Sequence, residues 1–80
     1  MGVLRAEFTI EPFAAGRQGA HVQAAIDAAR AAGFEVEVGP FGSSLEGSGP
    51  AVAGAVASIV QAAFAAGASR VSVQVEEARG

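Results

Sequence analysis

The chain contains one short pattern twice, and this repetition constrains its fold more than any other feature. A shift of 34 residues places 22–33 on 56–67, matching the first valine, two Ala-Ala pairs and the final glycine. In each copy, apolar residues recur at helical spacing, and the glycine is placed to end a helix. Each copy is followed by a segment typical of a strand. We therefore expect one domain, residues 1–80, built from a doubled strand, helix, strand unit.

The first predicted helix runs from about Gln18 to Ala32 and is amphipathic. The second runs from about Pro50 to Ala66 and lacks a charged outer side. No charged residue occurs between Ser48 and Ser69. A helix that spans a membrane is one alternative, but the glycine, serine and glutamine content and the leading proline argue against it. We expect the outer side of the second helix to contact another subunit.

Two apolar residues, Val60 and Phe64, extend the apolar side of this second helix beyond its core-facing stripe. The core-facing stripe itself is predicted from residues at three- and four-residue spacing: Val52, Val56, Ile59 and Ala63. A small domain is marginally stable alone. Oligomer formation, as a dimer or tetramer, is therefore predicted partly through this helix.

Alternating polar and apolar residues predict four strands. Val3–Glu11 is the clearest, and Pro12 ends it. A second strand, 34–38, would bury Phe34, Val36 and Val38, and 39–42 would reverse the chain into a short third strand, 43–46. The fourth is 70–76, with Val71, Val73 and Val75 inward. The order βαββαβ predicts a ferredoxin-like α+β fold, in which two helices cover one face of a four-stranded antiparallel sheet.

The composition excludes several classes of function. The chain has no cysteine and one histidine, so neither a disulfide nor a metal site is expected. Its net charge is −3, with five arginines and no lysine, which argues against a nucleic-acid partner. The first residues contain no apolar run typical of a secretory signal, so cytoplasmic localisation is expected, without membrane association.

The face of the sheet opposite the helices is predicted to collect the polar alternates of every strand. These are Arg5, Glu7, Thr9, Glu11, Glu35, Glu37, Arg70, Ser72, Gln74 and Glu76. Their carboxylates outnumber their arginines, so this face should attract a cation. A solvated face, or one paired with another sheet, is the alternative interpretation.

No catalytic residues are predicted. His21 has no accompanying serine or cysteine nucleophile pattern. Residues 16–19, Gly-Arg-Gln-Gly, are similar to the phosphate loop of acylphosphatases, but that family also needs an asparagine and this chain has none. An acylphosphatase-like hydrolase is the less favoured alternative to a binding protein.

Three segments together resemble the thiamine-binding protein family: FTIEPF at 8–13, AAGFEVEVGPFGSSLEG at 31–47 and AAGASRVSVQV at 65–75. The resemblance implies a ferredoxin-like subunit that associates through its sheets into dimers or tetramers. It also implies that the protein binds thiamine or its hydroxymethylpyrimidine part without catalysis. A structural or regulatory homo-oligomer without a vitamin ligand is the other candidate function.

The ligand is expected where the 41–47 segment meets the end of the first strand. Six residues are predicted to bind it: Ser43, Ser44, Glu46, Glu11, Phe13 and Phe41. Serine hydroxyls and a carboxylate can pair with an aminopyrimidine, and a phenylalanine can cover its ring. The acidic sheet face around Glu7 and Glu37 is the alternative position.

Overall fold

The order of strands and helices in the computed structural model is the predicted one. The model describes residues 2–12, 19–40 and 42–78. In these ranges the elements are β1 (Val3–Glu11), α1 (Ala20–Ala31), β2 (Glu37–Val38), β3 (Ser43–Ser48), α2 (Gly49–Ala65) and β4 (Arg70–Glu77). The bounds of β1 coincide with those predicted from its alternation.

The four strands form one antiparallel sheet in the order β2-β3-β1-β4. The two central strands, β1 and β3, are therefore the first strands of the two repeated units. This arrangement confirms the predicted ferredoxin-like α+β fold. The register places Glu7 of β1 opposite Ser44 of β3 on one side and Gln74 of β4 on the other.

The apolar core lies between the sheet and the two helices. Ala6, Phe8 and Ile10 of β1 are buried there, as the alternation predicted. From the helices and β3 the buried hydrophobic residues are Ala25, Ile26, Ala29, Leu45, Val52, Ala55, Ile59 and Ala63. The opposite side chains of the strands, which include Arg5 and Glu7, lie on a face that neither α1 nor α2 covers. We call this side the open face.

Both helices end as their glycines predicted. Gly33 and Gly67 have φ angles of 94° and 104°, a conformation that favours glycine. After α1, the N–H of Gly33 donates to the oxygen of Arg30 and that of Phe34 to the oxygen of Ala29. The same pair of bonds follows α2, so both ends are Schellman motifs that turn the chain back toward the sheet.

The edges of the sheet differ most from prediction. The strand predicted over 34–38 is reduced to Glu37–Val38, and Val38 is 46% exposed rather than buried. Val75 near the end of β4 is 49% exposed as well. Both valines lie on edge strands, at positions that the helices leave exposed. Phe34 and Val36 still pack against the core without being part of a strand.

Helix α2 presents the uncharged outer side that the sequence predicted. Phe64 is 49% exposed and Val60 is partly buried. Ser48 precedes the helix, and its Oγ accepts a hydrogen bond from the N–H of Ala51 at 3.4 Å. Among the described residues, neither helix is both long enough and apolar enough to span a bilayer.

Candidate functional site

A concave region of about 690 Å³ lies on the open face, near the connection between β2 and β3. All four strands contribute polar side chains to it: Arg5, Glu7, Glu37, Ser44, Ser72 and Gln74. We call this region the sheet cavity. Because it lies on the uncovered side of the sheet, a ligand can enter it without disturbing the core.

One row of side chains crosses the sheet through this cavity. Glu37 lies opposite Ser44 in the β2–β3 pair, and Ser44 lies opposite Glu7 in the β3–β1 pair. Gln74 of β4 continues the row beyond Glu7. With neighbouring strands about 4.8 Å apart, the row spans about 14 Å. A hydroxyl between two carboxylates, with an amide at one end, offers several acceptors and two kinds of donor to a flat polar ligand.

Ser44 is the most shielded polar group of the row. Its relative exposure is 9%, whereas Glu7 and Glu37 are exposed. A hydrogen bond to a shielded hydroxyl meets less competition from water than one at the surface. Ser44 is therefore suited to orient a ligand, and the two carboxylates are suited to attract it.

Arg5 modifies the charge of the cavity. Its Nη1 donates to Oε2 of Glu7 at 2.6 Å, and its Nε lies 3.9 Å from Oε2 of Glu46. The hydrogen bond and the charge of Glu7 raise the pKa of Arg5 above its ordinary value, with smaller contributions from Glu46 and Glu76. Glu37, in contrast, makes no ion pair within the described ranges. Among the described residues, the cavity thus holds one paired and one unpaired carboxylate.

Gly42 lies close to β1 at the end of the cavity where β3 begins, so a larger residue there would be tightly packed. A Cβ on Gly42 would lie 3.1 Å from the oxygen of Phe8 and 3.3 Å from Oγ1 of Thr9. The N–H of Gly39 donates to the oxygen of Gly42 at 2.8 Å, which closes the connection from β2. The predicted reversal over 39–42 is thus present, and it brings β2 beside β3.

A second concave region, of about 660 Å³, lies along β3 beyond the end of β2. Phe34, Glu35, Glu46 and Gly47 line it, and it shares Arg5, Glu37 and Ser44 with the sheet cavity. We call it the edge groove. Arg5 therefore lies between the two regions.

The comparison with known families agrees with the resemblance seen in the sequence. The model of the family described as thiamine-binding protein matches residues 6–77. The chain belongs to the thiamine-binding protein family. No protein of curated function matches the sequence significantly.

Solved structures similar to this family member support the fold. A domain of unknown function from Bacillus cereus is 26% identical, with a TM-score of 0.69, over 94% of this chain and 73% of that one. A hypothetical protein from Methanocaldococcus jannaschii is 24% identical, with a TM-score of 0.73, over 99% and 84% of the two chains. A Thermotoga maritima protein, named for an inferred role in thiamine biosynthesis or salvage, is 18% identical, with a TM-score of 0.54, over 92% and 80%.

The structure brings together some of the six residues predicted to bind the family's ligand and separates others. Ser43 and Ser44 both line the sheet cavity. By strand alternation the two hydroxyls lie on opposite faces, and only that of Ser44 shares the open face with Glu7. Glu46 lies in the edge groove instead, opposite Arg5.

The other predicted ligand residues are farther away or outside the described ranges. Glu11 lies four positions beyond Glu7 on β1, or about 13 Å along the strand. It lies opposite Arg70 in the β1–β4 register and does not line the cavity. Phe13 and Phe41 lie outside the described residues.

Sequence reasoning placed Arg5, Ser72 and Gln74 on the open face but did not assign them to the predicted site. The missing information was the register, because alternation fixes the face of a residue but not its partner. Glu7 and Glu37, the residues of the alternative position, both lie in the sheet cavity.

His21 lies near the start of α1, on the helix side of the sheet. Its Nε2 is 2.5 Å from the oxygen of Pro12, so the ring ties the start of the helix to the end of β1. Within the described ranges, no three histidine, aspartate or glutamate side chains are grouped so as to hold a metal ion.

Proposed function

We propose that this protein binds thiamine, or the hydroxymethylpyrimidine part of it, in the sheet cavity and does not transform it. The family match over residues 6–77 supports a thiamine-related binding role. The observation that carries the proposal is the cross-strand row Glu37, Ser44, Glu7, Gln74 at the floor of the cavity. This row combines the acceptors and donors that an aminopyrimidine requires with charges that suit a cation.

Charge favours the thiazolium ring. Glu37 is unpaired among the described residues, and Glu7 lies two strands away on β1, with Ser44 of β3 between them. A cation near two carboxylates gains Coulomb energy from both, while an anion is repelled. The negative net charge of the whole chain acts in the same direction.

Hydrogen bonding favours the aminopyrimidine ring. The exocyclic amine of this ring can donate to a carboxylate, and its ring nitrogens can accept from the hydroxyl of Ser44 or the amide of Gln74. A row about 14 Å long is sufficient for both rings of thiamine to lie across the strands. The aminopyrimidine alone would occupy only part of it.

The proposal assigns no chemical step to the protein. The family is named for binding. His21 is bonded to Pro12 on the side of the sheet away from the cavity, so it is not placed to act on a ligand there. Arg17, on which an acylphosphatase activity would depend, lies outside the described residues. Acyl phosphate hydrolysis that is lost in Arg17→Ala would support that alternative.

We also propose that the protein works as a homo-oligomer. The support is the uncharged outer side of α2, with Phe64 half exposed and Val60 beside it. A domain of this size buries about 60% of its unfolded surface, so covering this side would add stability that the monomer lacks. Contacts between sheets would complete such an assembly.

The test of ligand binding is calorimetric titration of the protein with thiamine and with hydroxymethylpyrimidine. We expect saturable binding of thiamine, and a dissociation constant about fivefold higher in Ser44→Ala, since one hydrogen bond is lost. Ser58→Ala is the matched control, because Ser58 is exposed on α2, away from the cavity. If the protein binds neither thiamine nor hydroxymethylpyrimidine, the proposal is refuted. Equal losses of affinity in Ser44→Ala and Ser58→Ala would place the ligand elsewhere.

A further inference from the structure

We infer that Arg5 is an exchangeable internal counter-ion, which a cationic ligand displaces from Glu7 and which thereby sets the charge selectivity of the sheet cavity. This inference rests on the proposed function, since it concerns the same cavity. It adds a residue that was not among those predicted to bind the ligand.

The guanidinium of Arg5 occupies the position that a ligand's cation would take. Its Nη1 is 2.6 Å from Oε2 of Glu7, the carboxylate of the row that lies on the central strand β1. An incoming positive charge cannot pair closely with Glu7 while the guanidinium remains there. The arginine must therefore move, or the cation must accept repulsion at short range.

Arg5 has other partners available when it leaves Glu7. Its Nε is already 3.9 Å from Oε2 of Glu46, and Glu76 lies opposite it in the β1–β4 pair. The side chains of Arg5 and Glu7 are 31% and 52% exposed, and exposed ion pairs are weak. A short movement toward the edge groove therefore replaces one ion pair with another at little cost.

This exchange would distinguish ligands by charge. When Arg5 is paired with Glu7, only Glu37 keeps an uncompensated negative charge, so a neutral pyrimidine meets a site of reduced negative charge. With Arg5 turned toward Glu46, both Glu7 and Glu37 are available to a cation. A phosphorylated ligand would gain from an arginine that stays in the cavity, so removal of the guanidinium should affect cations and phosphate esters in opposite directions.

The test is titration of wild type and Arg5→Gln at pH 8 with thiamine, hydroxymethylpyrimidine and thiamine diphosphate. Removing a competing unit charge about 5 Å from the ligand should tighten thiamine binding about fourfold. Hydroxymethylpyrimidine should change by less than about twofold, and thiamine diphosphate should bind more weakly. Thiamine binding that weakens, or an equal change for all three ligands, would overturn the inference.

Arg70→Gln is the matched control. It removes the same charge from the same face, but Arg70 lies opposite Glu11 in the β1–β4 register and does not line the cavity. Arg70 lies beside Glu11, about 13 Å along the strand from Glu7, and the screening length at about 0.15 M salt is about 8 Å. This variant should therefore change thiamine binding much less than Arg5→Gln does. An equal effect of the two variants would show that net charge acts, rather than the position of Arg5.

A second probe separates this inference from the proposed function. If wild type binds no thiamine compound, the proposed function fails, and N-methylpyridinium chloride then tests Arg5 as a simple aromatic cation followed by NMR. Tighter binding of this cation in Arg5→Gln than in wild type would support the exchange. Equal affinities, or no binding in either protein, would overturn it.

Discussion

The ring of Phe34 lies against the backbone of Gly47, where any other residue would place a side chain. A Cβ on Gly47 would lie 2.6 Å from Cε1 of Phe34 and 3.2 Å from Cζ. Gly47 faces the helix side of β3, opposite Leu4 of β1. The ring therefore covers the end of the core beside the part of β3 that lies beyond its pairing with β2.

Gly47→Ala should lower the free energy of unfolding by about 1–3 kcal/mol, because the added methyl group displaces this ring. Urea denaturation monitored by circular dichroism measures the change. Gly54→Ala is the control of opposite sign. A Cβ there would meet nothing within 4 Å, and alanine in a helix should add about 0.5–1 kcal/mol. A stable Gly47→Ala would show that the ring moves without cost.

Glu37→Gln should weaken thiamine binding about fivefold or more, since it removes the cavity carboxylate that has no ion-pair partner in the described part of the chain. Glu35→Gln is the matched control, because Glu35 lies two residues earlier and lines only the edge groove. Calorimetric titration at constant salt compares the two. A larger loss in Glu35→Gln would place the ligand in the edge groove, near the predicted position at Glu46.

Phe64→Glu should shift the protein toward smaller species, because a charge would be left unpaired in an apolar contact. Analytical ultracentrifugation at micromolar concentration measures the shift. Ala20→Glu adds the same charge at an exposed position of α1 and should leave the assembly unchanged. A wild type that sediments only as a monomer, 7.9 kDa in mass, would contradict the oligomer itself.

Ser48→Ala should destabilise the protein by about 0.5–1 kcal/mol, because α2 loses the side-chain acceptor of its first turn. The bond to Ala51 is long, at 3.4 Å, so we expect the lower part of this range. Thermal denaturation of Ser48→Ala and of the helix-surface variant Ser58→Ala measures the difference. Equal midpoints would show that the cap contributes nothing.

The sequence predicted those parts of the fold that depend on local chemistry. The bounds of β1 follow from its alternation, and the two helix ends follow from Gly33 and Gly67. The predicted burial of Val38 was wrong, because a residue on an edge strand is buried only where another element covers it. The alternation of polar and apolar residues does not show which positions of a strand the helices cover.

The candidate site was less accessible to sequence reasoning because it depends on register. The alternation of Glu7 and Glu37 places both on the open face, but only the pairing of each with Ser44 brings them into one row. A shift of two residues in the β1–β3 pair would keep every side chain on its face and still disperse the row. The position of Arg5 between two concave regions depends on the same pairing.

Amino-acid substitutions on the two faces of this sheet should have different effects on the protein. Substitutions at Ser72, Gln74 or Glu37 would alter the surface that the proposed ligand meets, yet none of these side chains is part of the core. Such changes can accumulate with little effect on folding, because surface substitutions usually alter stability by less than about 0.5 kcal/mol. The open face could therefore be redesigned for other small cations while the helix side is left untouched.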